Sequence, residues 1–374
     1  MQRNLGRACG LALMGRLLAL TTILAGATGM LFASARAEED DHFVQTNLVS
    51  DLGGVAAITD PLLKNPWGLS HSPTSPFWSS NQGTSTATLY AVTNKTTVAK
   101  VNINPPAGDV LIPTTATPAQ GPTGQVNNSN TSSFPVNHGG DGGPAHFIFA
   151  DLNGTISAWD KGPTAFVQVT TPGAVYTGLA INGAQTRLYA ARAGGIDVFD
   201  SSFSPVGLGP DAFVNPELPQ GLVPFNVRNI SGDIFVTYAP RGRMNQINAQ
   251  RGAGAIAIFT EDGNFIKQLV AGNHLAAPWG IALAPPSFGR FGNHLLVGNF
   301  SFAASEINAF TLPNGNFHGT IPIVTPGRPG GLWSLDFGVG GNNGDPDTLY
   351  FTDGINGEAD GLFGAILPRQ KPDR

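Results

Sequence analysis

Cysteine is all but missing from this sequence: Cys9 is the single one in 374 residues. Because it falls inside an N-terminal leader, the exported chain has no thiol, which excludes structural disulfides and thiolate catalysis. Charge is scarce as well, at 12% of residues where about 25% is ordinary. Lys and Arg are too few and too scattered to track a phosphate backbone, so nucleic acid is not an expected partner. No stretch beyond the leader carries a helical period, and none of the seven histidines stands in His-x-x-x-His or His-Glu-x-x-His spacing. A Gly-x-Ser-x-Gly elbow, a Walker loop and a dinucleotide fingerprint are also lacking.

The leader is read from Arg3, Arg7 and Arg16, the apolar stretch Leu17 to Phe32, and the small-residue exit Ala35-Arg36-Ala37. This is the pattern of a secretory signal peptide over residues 1–37, with an uncleaved membrane anchor as the rival reading. Cleavage removes four of the 20 Lys and Arg and none of the 25 Asp and Glu, leaving 16 basic against 25 acidic residues, a net charge of −9. The expected product is acidic, free of a membrane anchor, extracellular or periplasmic, and monomeric. The closing residues LPRQKPDR show no sorting signal, which favours the expectation of a free rather than an anchored product.

What the chain does have is glycine, proline and short apolar runs: 49 Gly, 29 Pro and 41% hydrophobic residues. Many short apolar runs separated by Gly, Pro, Asn and Asp are the pattern of an all-β domain rich in turns. One phrase occurs twice, Asn65-Pro66-Trp67-Gly68-Leu69 and Ala277-Pro278-Trp279-Gly280-Ile281, each followed by a second apolar run ending at Asn81 or Asn299. Six copies of this order can be counted, with anchors at Gly68, Gly124, Gly178, Asn226, Gly280 and Leu332. Their intervals of 56, 54, 48, 54 and 52 residues are close to the ~40–50 residues of a four-stranded propeller blade. A six-bladed β-propeller over residues 38–374 follows, with four-stranded antiparallel blades. The unpaired strand at 42–50 then closes the ring as the outer strand of the last blade. A β-sandwich would show no fixed period. The Pro/Thr/Asn/Gly-rich tract 104–145 reads as extended loops of the first two blades.

The phrases NPWGLS, GTISAW, APWGIA and the terminal GLWSLDFG…LYFTDGINGEADGLFGAI resemble an uncharacterised family of bacterial secreted propeller-like proteins. That family is similar in style to NHL-repeat and gluconolactonase-like six-bladed propellers. The resemblance implies secretion and the propeller fold. Through the gluconolactonase-like relatives, it also implies a divalent metal near the axis held by carboxylates and an Asn.

Candidate chemistry is read from the ends of the second strands, which return to the face where the inner strands begin. The six copies place Asn81, Asp151, Arg192, Tyr238, Asn299 and Asp353 there, a nearly continuous polar ring. Oxygen ligands at such positions suit Ca²⁺ or another hard cation, and Asp151, Asn299 and Asp353 are the candidate ligands of a metal that polarises an ester and activates water. The competing reading is that Asn and Asp end strands because they form turns. A second cluster, Asp353, Asn356, Glu358 and Asp360 in D-G-I-N-G-E-A-D-G, reads either as a Ca²⁺ loop or as a solvated acidic turn, and misses the EF-hand spacing. Trp67, Trp279 and Trp333 read as inner-strand packing or as the lining of an aromatic funnel.

Three functions stay open from sequence. The first is a binding or scaffolding propeller whose axial face holds a small molecule, glycan or extracellular protein. The others are a metal-dependent lactonase or esterase, and a calcium-stabilised structural protein. Fold alone cannot choose among them.

Overall fold

The computed structural model describes residues 43–103 and 108–369. The signal peptide expected over 1–37 lies outside the described residues. Within them the chain forms six antiparallel sheets arranged as the blades of a six-bladed β-propeller, with few helices. None of the helices is long and apolar enough to cross a membrane.

Each blade follows the repeat. The inner strands are Pro66–Ser70, Pro122–Asn127, Gly178–Ile181, Leu222–Ile230, Pro278–Leu283 and Gly331–Phe337. The second strands are Phe77–Asn81, Phe147–Asp151, Arg187–Arg192, Asp233–Pro240, His294–Asn299 and Leu349–Gly354. Strand Phe43–Ser50 lies antiparallel on Leu362–Pro368, from Phe43 opposite Pro368 to Ser50 opposite Leu362, and so closes blade six with the N-terminal strand. From the tract 104–145, Asp109–Leu111 joins the third strand of blade one, and Phe134, Val136 and Ala145 enter the core beside blade two.

Blade three keeps three ladder strands. Its outer position is held by a short bridge, in which Asp200 N–H donates to Ser204 O at 2.9 Å and Val206 N–H to Val198 O at 2.8 Å. Pro205, Pro210, Pro216 and Pro219 follow, and a residue without an N–H cannot extend a ladder.

Alternation along the strands builds the core. On His294–Asn299, Leu295 and Val297 pack toward blade four while Leu296 packs toward blade six. Repeated round the ring, this gives six apolar clusters, one between each pair of neighbouring blades. A seventh cluster, of aromatic residues, sits on the axis. The inner strands crowd that axis closely enough to need glycine: a Cβ on Gly124 would stand 2.3 Å from Leu179 N, and one on Gly280 2.2 Å from Trp333 O.

The registers correct one anchor. Asn81 pairs with Pro66 and Asp353 with Leu332, so Trp333 is the counterpart of Trp67 and Ser334 that of Gly68. The sixth anchor is therefore Ser334, two residues beyond Leu332. The missing Pro-x-Gly frame hides this in the sequence, while the bulge between Leu332 and Leu335 matches the one between Pro66 and Leu69.

Candidate functional site

Where the inner strands begin, the axis is filled. Trp67 and Trp333 stack with ring centroids 3.5 Å apart, and Trp279 meets both edge-on at 6.1 and 5.5 Å. Phe300 stacks on Trp333 at 4.4 Å, and Phe225 stands 6.1 Å from it. Offset and edge-to-face contacts of this kind add to the hydrophobic gain of burying the rings. Two indoles are tied down, Trp279 Nε1 to Thr177 O at 2.7 Å and Trp333 Nε1 to Asn65 Oδ1 at 2.9 Å. Above them Arg243, on the short helix Arg243–Ile247, lays its guanidinium 4.4 Å from the Phe300 centroid and pairs with Glu358. Burial lowers the Arg243 pKa to about 10.

The expected polar ring shares this mouth in register, yet four of its side chains are engaged by the protein, Asp353 holds one long contact and the Tyr238 hydroxyl none. Asn81, fully buried, donates to Thr88 Oγ1 at 2.9 Å and accepts from Ser79 Oγ at 3.1 Å. Asp151 Oδ1 takes the backbone N–H groups of Asn153 and Thr155 at 2.9 and 2.8 Å, closing a turn; burial raises its pKa against those bonds. Arg192 grips Asp197. Tyr238 lies in the core between blades three and four, its hydroxyl unpaired and its pKa driven up by burial. Asn299 accepts from Ala276 N at 3.0 Å and donates to His274 O at 2.8 Å. Asp353 is fully buried; Oδ2 meets Thr325 Oγ1 at 3.4 Å and Oδ1 has no partner, and burial lifts its pKa to about 7.

The acidic turn is likewise engaged by protein. Glu358 pairs with Arg243 and accepts from Asn65 Nδ2 at 3.2 Å. Asp360 accepts from Asn356 at 2.8 Å and stands 3.4 Å from Lys64 Nζ. Burial acts to raise the Asp360 pKa, but hydrogen bonds from Asn356, Asp51 and Lys64 hold it below the usual range. Among the described residues no three His, Cys, Asp or Glu side chains are gathered as one metal ion would need. As placed, Asp151, Asn299, Asp353, Glu358 and Asp360 do not fit a divalent ion: their oxygens are divided between turn closure, backbone and side-chain hydrogen bonds, ion pairs and a carboxyl whose pKa burial raises to about 7.

Where the inner strands end, the same axis opens into a cavity of about 560 Å³. Its polar lining includes Ser70, His71, Gln125, Arg228, Asn229 and Asp336. Leu179, Ala180, Ile181 and Phe337 supply apolar wall. Below it, a throat of about 20 Å³ runs between Gly68, Gly124, Asn226 and Gly280 toward the tryptophans. Arg228 Nη2 donates to Asp336 Oδ1 at 2.8 Å and Nη1 to Leu335 O at 3.4 Å. His71 places its ring nitrogens 3.0 Å from Ser72 O and 3.1 Å from Phe337 O, with Asp336 Oδ2 at 3.9 Å.

Three of the lining residues carry a buried polar atom with no hydrogen-bond partner: Ser70 Oγ, Gln125 Oε1 and Asn229 Nδ2. Such atoms are costly unless something pairs with them. The Gln125 amide is oriented by Nε2, which donates to Gly68 O at 3.0 Å and to Trp78 O. Asn229 is oriented by its Oδ1, which accepts from Gly232 N at 3.1 Å.

Sequence reasoning passed over these residues, although a signal was present. Two positions past each anchor stand Ser70, Val126, Ala180, Arg228, Ala282 and Asp336, so an opposite-charge pair breaks a small-residue series. With the sixth anchor set at Leu332, Asp336 falls out of register and the pair disappears.

Comparison with known proteins supports the architecture. No family model matches the chain. The uncharacterized protein R648 of Acanthamoeba polyphaga mimivirus is 28% identical over 340 residues, covering 86% of this chain and 80% of that protein. Uncharacterized protein L690 of the same virus is 28% identical over 342 residues, 86% of this chain and 85% of its own. Among solved structures, streptogramin B lyase is similar over 88% of this chain and 98% of that chain, with a TM-score of 0.51 and 11% identity. That likeness shows the fold alone. XC5397, a gluconolactonase from Xanthomonas campestris, is similar over 59% of this chain and 72% of its own, with a TM-score of 0.41 and 18% identity. The curated relatives are viral and uncharacterised, so a bacterial origin for the family is unsupported.

Proposed function

We propose that this chain is an exported ligand-binding propeller that holds a small polar molecule in the axial cavity where its inner strands end. The observation that carries the reading is the gathering of Ser70 Oγ, Gln125 Oε1 and Asn229 Nδ2, buried and unpaired, on residues that line one cavity. A mostly apolar wall with a few convergent polar groups is the ordinary make-up of a small-molecule site, and about 560 Å³ falls within the usual span of roughly 300–1,000 Å³.

Ligand-detected NMR with a library of small polar compounds tests this on the mature protein and on Ile181→Trp, which fills the cavity from its wall. Hits are expected with the unsubstituted protein and should vanish in the variant. An absence of hits, or hits that survive Ile181→Trp, overturns the reading. Lactone turnover that needs Ca²⁺, survives Ile181→Trp and is lost in Asp353→Asn would instead place the function at the tryptophan mouth. Export is tested by sequencing the N-terminus of protein recovered outside the cytoplasm, which is expected to begin at Glu38.

A further inference from the structure

Resting on that reading of the cavity, we propose that its ligand is an uncharged polyhydroxy compound, a free sugar or polyol. The chemistry of the unpaired atoms sets this class. Ser70 Oγ can donate and accept, Gln125 Oε1 can only accept, and Asn229 Nδ2 can only donate. None carries formal charge. A hydroxyl group both donates and accepts, so a molecule bearing several of them can pair with all three once their side chains, shielded as placed, turn from the wall toward it. A ligand with acceptors alone would leave Gln125 Oε1 without a donor, and one with donors alone would leave Asn229 Nδ2 without an acceptor.

The charges at the mouth point the same way. Arg228 is already committed to Asp336 at 2.8 Å and to Leu335 O at 3.4 Å. The guanidinium keeps further N–H groups and Asp336 a second oxygen, so a charged ligand could reach either, but each charge is already balanced by its partner. A charged ligand would therefore bring an uncompensated charge to a part-buried, charge-balanced setting, which disfavours it. An uncharged ligand leaves the pair intact. The wall formed by Leu179, Ile181 and Phe337 then meets the C–H faces of a carbon ring, so the hydroxyls and the ring carbons each find complementary surface.

Isothermal titration calorimetry on the mature protein decides the matter. The neutral probes are glucose, maltose, cellobiose and myo-inositol; glucuronate and glucose 6-phosphate are the anionic probes and glucosamine the cationic one. At least one neutral probe is expected to bind, with its charged counterparts at least tenfold weaker. Ser70→Ala and Asn229→Asp should each weaken the neutral probe about five- to tenfold, the loss of one hydrogen bond to a buried group. Asn229→Asp keeps the acceptor that holds Gly232 N, and unchanged melting temperatures exclude a folding defect.

Binding confined to charged probes overturns the proposal. So does a neutral-probe affinity that neither substitution changes. Should every probe fail while the wider library still gives hits that Ile181→Trp abolishes, the cavity stands as a binding site and the polyhydroxy class falls. If the library gives nothing either, both readings fall together.

Discussion

The two ends of the propeller axis are built from the same six inner strands, yet one is filled and the other hollow. The difference lies in residues three positions apart. Immediately before the anchors stand Trp67, Thr123, Thr177, Phe225, Trp279 and Trp333, four large rings of six. Two positions past the anchors stand Ser70, Val126, Ala180, Arg228, Ala282 and Asp336, of which four are small or medium and two are charged and paired. Rings contributed from several blades overfill the narrow axis and interlock. Small side chains on strands that diverge as they twist leave space. The repeat fixes where an axial position falls, and the side chain at that position decides whether the axis is core or site.

Removing the central ring of the filled end should have the largest effect. Trp333 is fully buried between Trp67, Trp279 and Phe300. Trp333→Ala is expected to cost about 3–5 kcal/mol, the range for large buried aromatics, measured as a shift in the denaturant midpoint. If the variant loses under about 1 kcal/mol, the filled end is loosely packed and the contrast between the ends fails.

The next effect is electrostatic and comes from the same end. Asp353 has its pKa raised to about 7 by burial, above an unfolded value near 3.9. The native state therefore binds more protons than the unfolded state between those values, so this residue's contribution is fully present below about pH 4 and is lost as pH rises through 7. Asp353→Asn removes the ionisation. A pH series of denaturant titrations should show the variant gaining on the parent above pH 7 by up to about 4 kcal/mol and matching it near pH 4. A constant difference across pH would mean that Asp353 ionises freely in the fold.

Between the two ends lies the glycine-lined throat. At Gly280 an added Cβ would meet Trp333 O at 2.2 Å, a backbone atom that cannot move without shifting blade six. Gly280→Ala should destabilise by about 1–3 kcal/mol, the usual result of overpacking a tight core. At Gly183, where an added Cβ would find nothing within 4 Å, the same change should be close to neutral. Equal effects at the two sites would remove the throat from the account.

The fold was largely legible in the sequence because turn residues and alternation are local signals, and six copies of them average out errors in any one. The closure by the strand at 42–50 was legible as well: a strand with no partner in its own repeat has to pair elsewhere, and it lies on Leu362–Pro368. Blade six was misregistered by two residues, since Gly331-Leu332-Trp333-Ser334 lacks both the Pro and the Gly that mark Pro66-Trp67-Gly68, although the two blades share the same bulge. The open cavity was not legible for that reason. The polar ring shows a further limit: equivalence in register gave Asn81, Asp151, Asn299 and Asp353 a common mouth, but whether such a side chain serves a ligand or its own blade depends on the turn that follows. In Asp151 that turn supplies two N–H groups, from Asn153 and Thr155, and no residue count along the chain reports it.

The smallest effect on stability, and the sharpest on chemistry, belongs to the open end. The side chains of Arg228 and Asp336 are 32% and 15% exposed, so their attraction is partly screened. Arg228→Met keeps much of the stem packing and is expected to cost no more than about 1 kcal/mol. A double-mutant cycle with Asp336→Asn should return a coupling of roughly 0.5–1 kcal/mol, because each single change strands the other partner and the double change strands neither. The single variant also leaves Asp336 at the cavity without its guanidinium, with only the Phe337 N–H at 3.1 Å and His71 at 3.9 Å beside it. Its preference among probes should then move toward the cationic glucosamine, while Asp336→Asn, which frees the Arg228 guanidinium, should move it toward glucuronate. Opposite shifts from the two halves of one ion pair are what a charge-balanced cavity requires, and identical shifts would show that the pair merely shapes the wall.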